Sequence, residues 1–96
     1  MLDSDSKIRG RQEVVLREEE DGAFLFDPDS GRLCYLNNVA ITIWKLCTQP
    51  TRKQEIVLKI CSQYPEISEE QISDDCSVFL GDLDRLGFLV LNDRER

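Results

Sequence analysis

Residues 67–87, "ISEEQISDDCSVFLGDLDRLG", constrain the fold more than any other stretch of this chain. Ser68 stands where an N-cap belongs. Gln71, three places on, completes a capping box, and Ile67 and Ile72 flank it as a hydrophobic staple. Ile72, Cys76, Phe79, Leu80, Leu83 and Leu86 then fall on one helical stripe. Gly87 sits where a left-handed C-cap belongs. A long helix with one apolar stripe needs another apolar surface to lie on, and the rest of the chain must supply it.

The upstream segments read as strands and then as two shorter helices. "EVVLREEEDGAFLFDP" is a hairpin: Val14 and Leu16 alternate with Val15 and Arg17, Asp21–Gly22 is the tight-turn dipeptide, and Phe24 and Phe26 share a face opposite Ala23 and Leu25. "DPDSG" makes the next turn, and "RLCYL" is a third strand. Asn37 or Asn38 caps a first helix that carries Val39, Ala40, Ile43, Trp44 and Cys47 on one side and ends before Pro50. Thr51 opens a second, with Gln54 as its capping-box partner, and Val57, Ile60, Cys61 and Tyr64 face inward until Pro65 stops it. "FLVL" can add a short terminal strand. The expected fold is therefore α+β: a three-stranded antiparallel sheet followed by three helices, β-β-β-α-α-α, in a winged helix-turn-helix-like arrangement. Residues 1–12 read as a polar tail, 13–91 as the single domain and 92–96 as a second tail.

The third strand is unusual because neither of its faces is polar. Leu33 and Tyr35 point one way, Cys34 and Leu36 the other. An ordinary core strand with a covered edge accounts for this. So does an edge strand that offers unpaired N–H and C=O groups to an added peptide, beside the flank of the third helix at Asp75, Val78, Asp82 and Arg85.

Several function classes are disfavoured. The formal net charge is −7, and the residues that would open a recognition helix are Glu69, Glu70, Asp74 and Asp75. Carboxylates in a major groove meet phosphate repulsion, so a winged-helix DNA-binding regulator is the alternative reading rather than the main one. With no histidine anywhere, the commonest general base is missing. No Gly-rich phosphate loop or nucleophile elbow occurs, and an enzyme is not expected. "DPDSGRLCYLNN" begins like a calcium loop, but its sixth position is Arg32 and its twelfth Asn38, so it reads as a turn. Cys34, Cys47, Cys61 and Cys76 form no CxxC pair and read as reduced, buried thiols, with a metal site or disulfide as the other option. No cofactor is expected. "MLDSDSKIRGRQE" has no apolar core and no run approaches a bilayer span, so the expected location is cytoplasmic, away from membranes.

"GAFLFDP…GRLCYLNNVAITIWKLC", "EIVLKICSQYP" and "DDCSVFLGDLDRLGFL", in that order and spacing, resemble the family of the coenzyme pyrroloquinoline quinone synthesis protein D. The likeness runs over roughly residues 13–90 and departs at "LCTQP", where a turn glycine is absent. The resemblance implies a recognition element for ribosomally made, post-translationally modified peptides. Such an element would bind a precursor's leader segment as an added strand and present it to a modifying enzyme, such as a radical SAM protein, or to a leader protease. By position, Arg32, Leu33, Cys34, Tyr35 and Leu36 would lie on the strand side of the guest, and Asp75, Val78, Phe79, Asp82 and Arg85 on the helix side. Strand addition here carries the further expectation that Cys34→Pro removes a ladder donor and weakens peptide binding.

Overall fold

The computed structural model describes residues 7–91. Strands β1 (Lys7–Gly10), β2 (Val15–Glu19), β3 (Gly22–Phe26) and β4 (Leu33–Leu36) come first. They are followed by α1 (Asn38–Leu46), β5 (Thr51–Arg52), α2 (Lys53–Gln63), α3 (Glu69–Leu86) and β6 (Leu89–Leu91). Among the described residues the class is α+β with three helices, but the order is not strands and then helices. Two three-stranded antiparallel sheets are interleaved with the helices, ordered β5-β1-β6 and β2-β3-β4.

The first sheet is where the structure departs most from the sequence reading. Lys7–Gly10, expected as part of a polar tail, is the central strand, paired with Thr51–Arg52 on one side and Leu89–Leu91 on the other. One fully buried apolar residue, Ile8, anchors it. Gly10 lets the Trp44 ring lie directly on the backbone: a Cβ there would sit 2.5 Å from the ring. Further bonds from the Gly10 N–H to the Cys47 carbonyl (2.8 Å) and from the Arg11 N–H to the Phe88 carbonyl (2.9 Å) tie the segment down. Residues 1–6 and 92–96, also read as tail, lie outside the described residues.

The β2–β3–β4 meander follows the expected pattern in all but its turn. Glu19 pairs with Gly22, so Glu20 and Asp21 form the loop and Gly22 opens β3 rather than closing the turn. Among the described residues no non-glycine has positive φ, and Gly22, at φ 153°, lies beneath Tyr35, whose hydroxyl donates to the Asp21 carbonyl at 2.8 Å. Leu16, Ala23, Leu25, Cys34 and Leu36 make the inner face. The DPDSG turn is held by the nearly buried Asp27. Its carboxylate accepts from the Asp29 N–H (3.1 Å) and the Ser30 hydroxyl (2.9 Å), and Arg11 lies 3.6 Å away.

The helices form for the expected reasons, with two changes at the caps. Asn37 caps α1, its side chain accepting from the Ala40 N–H at 2.9 Å. Thr51 is in β5, not at the N-cap of α2. The N-cap is Arg52, and Glu55 rather than Gln54 returns to its N–H at 3.1 Å. Ser68 caps α3 by accepting from the Gln71 N–H (3.2 Å), but the Gln71 side chain donates forward to Asp75 instead of closing the box. At the other end the Gly87 and Phe88 N–H groups bond the Asp84 and Leu83 carbonyls, a Schellman ending. Ala40, Ile43 and Trp44 of α1, Ile56, Val57 and Ile60 of α2, and Ile72, Cys76, Leu80 and Leu83 of α3 meet the inner sheet face and Phe88 in one core. Among the described residues no helix is long and apolar enough to cross a membrane.

A candidate peptide-binding edge and groove

β4 pairs with β3 on one side, and no strand pairs with it on the other among the described residues. The ladder fixes which backbone groups face that open side. The Arg32 carbonyl accepts from the Asp27 N–H at 3.0 Å, in line with the Phe26–Leu33 register. Hydrogen-bonded pairs in an antiparallel ladder alternate with non-bonded ones. Cys34 and Leu36 therefore direct their N–H and C=O groups at β3, and Leu33 and Tyr35 direct theirs outward. One long thiol contact, Cys34 Sγ to the Tyr35 carbonyl at 3.7 Å, is drawn to those groups.

Beside this edge lies a groove of about 470 Å³. Tyr35, Asn37, Val39, Ala40 and Ile43 line it from β4 and α1. Ile72, Asp75, Cys76, Val78, Phe79 and Asp82 line it from α3, with Ile60 and Ile67 completing it. It exists because α3 packs on α2 while β4 packs on β3 and α1, so the two elements diverge. Val78, on the flank of α3, is left 65% exposed.

The ten residues singled out from the sequence fall into three groups. Tyr35, Asp75, Val78, Phe79 and Asp82 line the groove. Leu36 is wholly buried and Cys34 half-buried, both on the core side of the strand, while Leu33 (58% exposed) lies on the opposite, solvent face. The two arginines are engaged at the margin: Arg32 Nη1 donates to the Leu86 carbonyl at 2.9 Å, tying the start of β4 to the end of α3, and Arg85 pairs with Asp82. Asn37, Val39, Ala40 and Ile43 were not named as site residues. Their helical spacing marked the last three as core; Ala40 and Ile43 are buried there, and half-buried Val39 is the one that the divergence of β4 from α3 leaves partly open. The Cys34→Pro expectation is also corrected, since the Cys34 N–H belongs to the β3 ladder and the outward donors are those of Leu33 and Tyr35.

The groove is apolar with an acidic lip. Asp75 accepts from Gln71 Nε2 at 3.0 Å and Asp82 is paired with Arg85. Burial, and then the Asp82 carboxylate, pushes the Cys34 thiol up from its ordinary value. Burial pushes Cys47 up to about 12 and Cys76 up to about 11. All four cysteines are free, and among the described residues no cluster of His, Cys, Asp or Glu is built to hold a metal.

A family model for coenzyme PQQ synthesis protein D (PqqD) matches residues 22–89. No curated protein matches the chain. Among solved structures, TbiB1 in complex with the TbiA(beta) leader peptide is 27% identical with a TM-score of 0.73, covering 84% of this chain and 93% of that one. A lasso peptide synthetase B1 complexed with the leader peptide is 22% identical with a TM-score of 0.73, over 86% and 96%. The PqqD truncation of Methylobacterium extorquens PqqCD, described as a functional and stand-alone recognition element for ribosomally synthesized and post-translationally modified peptides, is 21% identical with a TM-score of 0.77, over 94% and 95%. The last two speak to the fold alone.

Proposed function

The chain belongs to the coenzyme PQQ synthesis protein D family, and we propose that it is a non-catalytic peptide chaperone, binding the leader segment of a ribosomally made precursor and presenting it to a modifying enzyme. The observation that carries this reading is the open edge of β4, whose outward N–H and C=O groups border an apolar groove. An extended segment laid there continues the β2–β3–β4 sheet, and its groove-facing side chains meet Val39, Ile43, Val78 and Phe79. Each backbone bond contributes about 0.5–1.5 kcal/mol net, independent of the guest's sequence. Ordering a disordered leader costs several kcal/mol, so the expected affinity is near micromolar, about −8 kcal/mol. Asp75, Asp82 and Arg85 on the lip of α3 would fix the guest's polar neighbours.

The receiving enzyme in this reading is a radical SAM protein or a leader protease. The helix pair and meander serve as a winged helix-turn-helix frame turned to a peptide. Nucleic acid is a poor partner, because the exposed start of α3 carries Glu69 and Glu70, which suit the helix dipole and oppose phosphate. Four free thiols suit a reducing compartment, the cytoplasm. The test is a titration of isotope-labelled protein with the leader of a precursor encoded beside its gene, read by amide shifts. Movement concentrated in residues 32–36 and 75–85 is expected. A leader that binds while both segments stay still would end the groove assignment, and a shifted DNA fragment at low salt would favour the regulator instead.

A further inference from the structure

The solvent face of the β2–β3–β4 sheet carries a second apolar surface, which meets the groove only at Tyr35. Its residues stand in two cross-strand rows set by the register: Val15–Phe26–Leu33 and Arg17–Phe24–Tyr35. Val15, Phe26, Leu33 and Tyr35 are 50%, 39%, 58% and 57% exposed, and Tyr35 stands edge-to-face on Phe24 with ring centroids 5.5 Å apart. A one-sided antiparallel sheet ordinarily presents polar residues on this face. Here polarity is graded across the sheet. β2 contributes the paired Arg17 and Glu19 along with Val15, whereas β3 contributes two phenylalanines and β4 only Leu33 and Tyr35. The apolar surface thus runs up to the open edge at β4.

We propose that the guest peptide is read on both faces of its strand, so that its class is a segment with apolar or aromatic residues at consecutive positions rather than at alternate ones. This rests on strand addition at β4. A strand paired there places one parity of side chains in the groove and the other on the solvent face, each directly beside Leu33 or Tyr35, as the next member of a row. Cross-strand neighbours on one face interact by apolar contact, and the exposed flanks of Leu33 and Tyr35 are what the new members would cover. A second copy of the chain is a poorer occupant, since each carries a net charge of −7.

Random 12-residue peptides displayed on phage and selected against the intact chain test this. A parallel selection uses Leu33→Thr, which keeps a strand-forming residue at an exposed site, and a third uses Tyr35→Thr. Winning peptides are sorted by whether they protect the Leu33 and Tyr35 amides from hydrogen exchange. Among edge-protecting peptides, apolar enrichment at both parities is expected from the native chain. The outward position beside residue 33 should lose that bias in the Leu33→Thr selection, and a native-selected peptide should bind Leu33→Thr about 1.5- to 5-fold more weakly. Edge-protecting peptides with apolar bias at one parity only, alike for native and variant chains, would overturn two-faced reading and leave strand addition standing. Peptides that bind without protecting the edge amides would overturn strand addition itself.

Discussion

The ladder parity of β4 makes a sharp comparison between two neighbouring proline substitutions. Proline lacks a backbone donor and is tolerated in a sheet where its N–H would face outward from an edge. The Leu33 N–H faces outward, so Leu33→Pro leaves the β3–β4 bonds in place and removes one donor offered to a guest. The Cys34 N–H faces β3 opposite Leu25, so Cys34→Pro breaks the internal ladder and leaves a carbonyl of the core sheet unpaired. The expected outcomes are therefore opposite in kind. Leu33→Pro should weaken leader binding by one net hydrogen bond, about 0.5–1.5 kcal/mol or roughly 2- to 13-fold in Kd, with little change in thermal midpoint. Cys34→Pro should lower folding stability by about 1–3 kcal/mol, the cost of a buried polar group left unsatisfied, a large part of what a domain of this size has to lose. Leu33→Ala, measured beside them, separates the lost donor from the lost side chain. Fluorescence anisotropy with a labelled leader gives Kd, and urea unfolding gives stability. A Leu33→Pro chain that binds as tightly as Leu33→Ala would refute the outward assignment, as would a Cys34→Pro chain that keeps its stability and loses affinity.

Other expectations follow from particular contacts. Gly10→Ala should destabilise the fold by about 1–3 kcal/mol through overpacking, because the added methyl meets the Trp44 ring at 2.5 Å; urea unfolding and near-UV circular dichroism of the single tryptophan would report it. Burial raises the Asp27 carboxyl, but the bonds from Ser30 and the Asp29 N–H, together with Arg11, outweigh it and hold it below its ordinary 3.8. Its contribution to stability is therefore complete above that value and is lost as pH falls through the lower folded value, so Asp27→Asn should flatten acid unfolding below about pH 4. Iodoacetamide at neutral pH should alkylate half-buried Cys61 and Cys34 before Cys47 and Cys76, whose thiols burial raises to about 12 and 11, and a bound leader should slow the reaction at Cys34; peptide mapping by mass spectrometry orders the four.

How far the sequence could be read depended on whether a signal was local. The α3 start at Ser68, its stripe and its ending at Gly87 are written in neighbouring residues, and they stand where expected. Of the first sheet only β6 was foreseen, as the strand in "FLVL"; the rest was hidden for the converse reason. Lys7–Gly10 holds a single apolar side chain, and its partners are two residues from the middle of the chain and three from its far end. No window of sequence contains that sheet. The same holds for the cap of α2: Thr51 looked like an N-cap, but β5 draws it into a ladder and passes the role to Arg52 and Glu55. In the groove, the α3 residues were legible as the flank of a stripe. The α1 residue Val39 was not, because the same helical period describes a buried side chain such as Ile43 and a half-buried one that lines a groove.

The strand at residues 33–36 shows why period alone misled. An apolar residue at every position is ordinarily the mark of a strand buried on both faces, yet here only Leu36 is fully enclosed, and Leu33 and Tyr35 are more than half exposed. Leaving such residues uncovered gives up roughly 1.5–3 kcal/mol of possible burial for each large side chain. It also leaves an edge that invites aggregation. The structure blunts neither hazard at β4: the strand has no proline, no bulge and no inward charge, and the cation at its start, Arg32, is turned to the Leu86 carbonyl. A charge on Leu33 would remove both liabilities at no cost to the core, since its side chain lies outside the core cluster. A liability that a single surface substitution could relieve, set beside the groove and continuous with it, is understandable if the exposed state is the waiting half of a complex. The acidic surface then has a second use, because a net charge of −7 keeps such chains apart until a guest covers the edge.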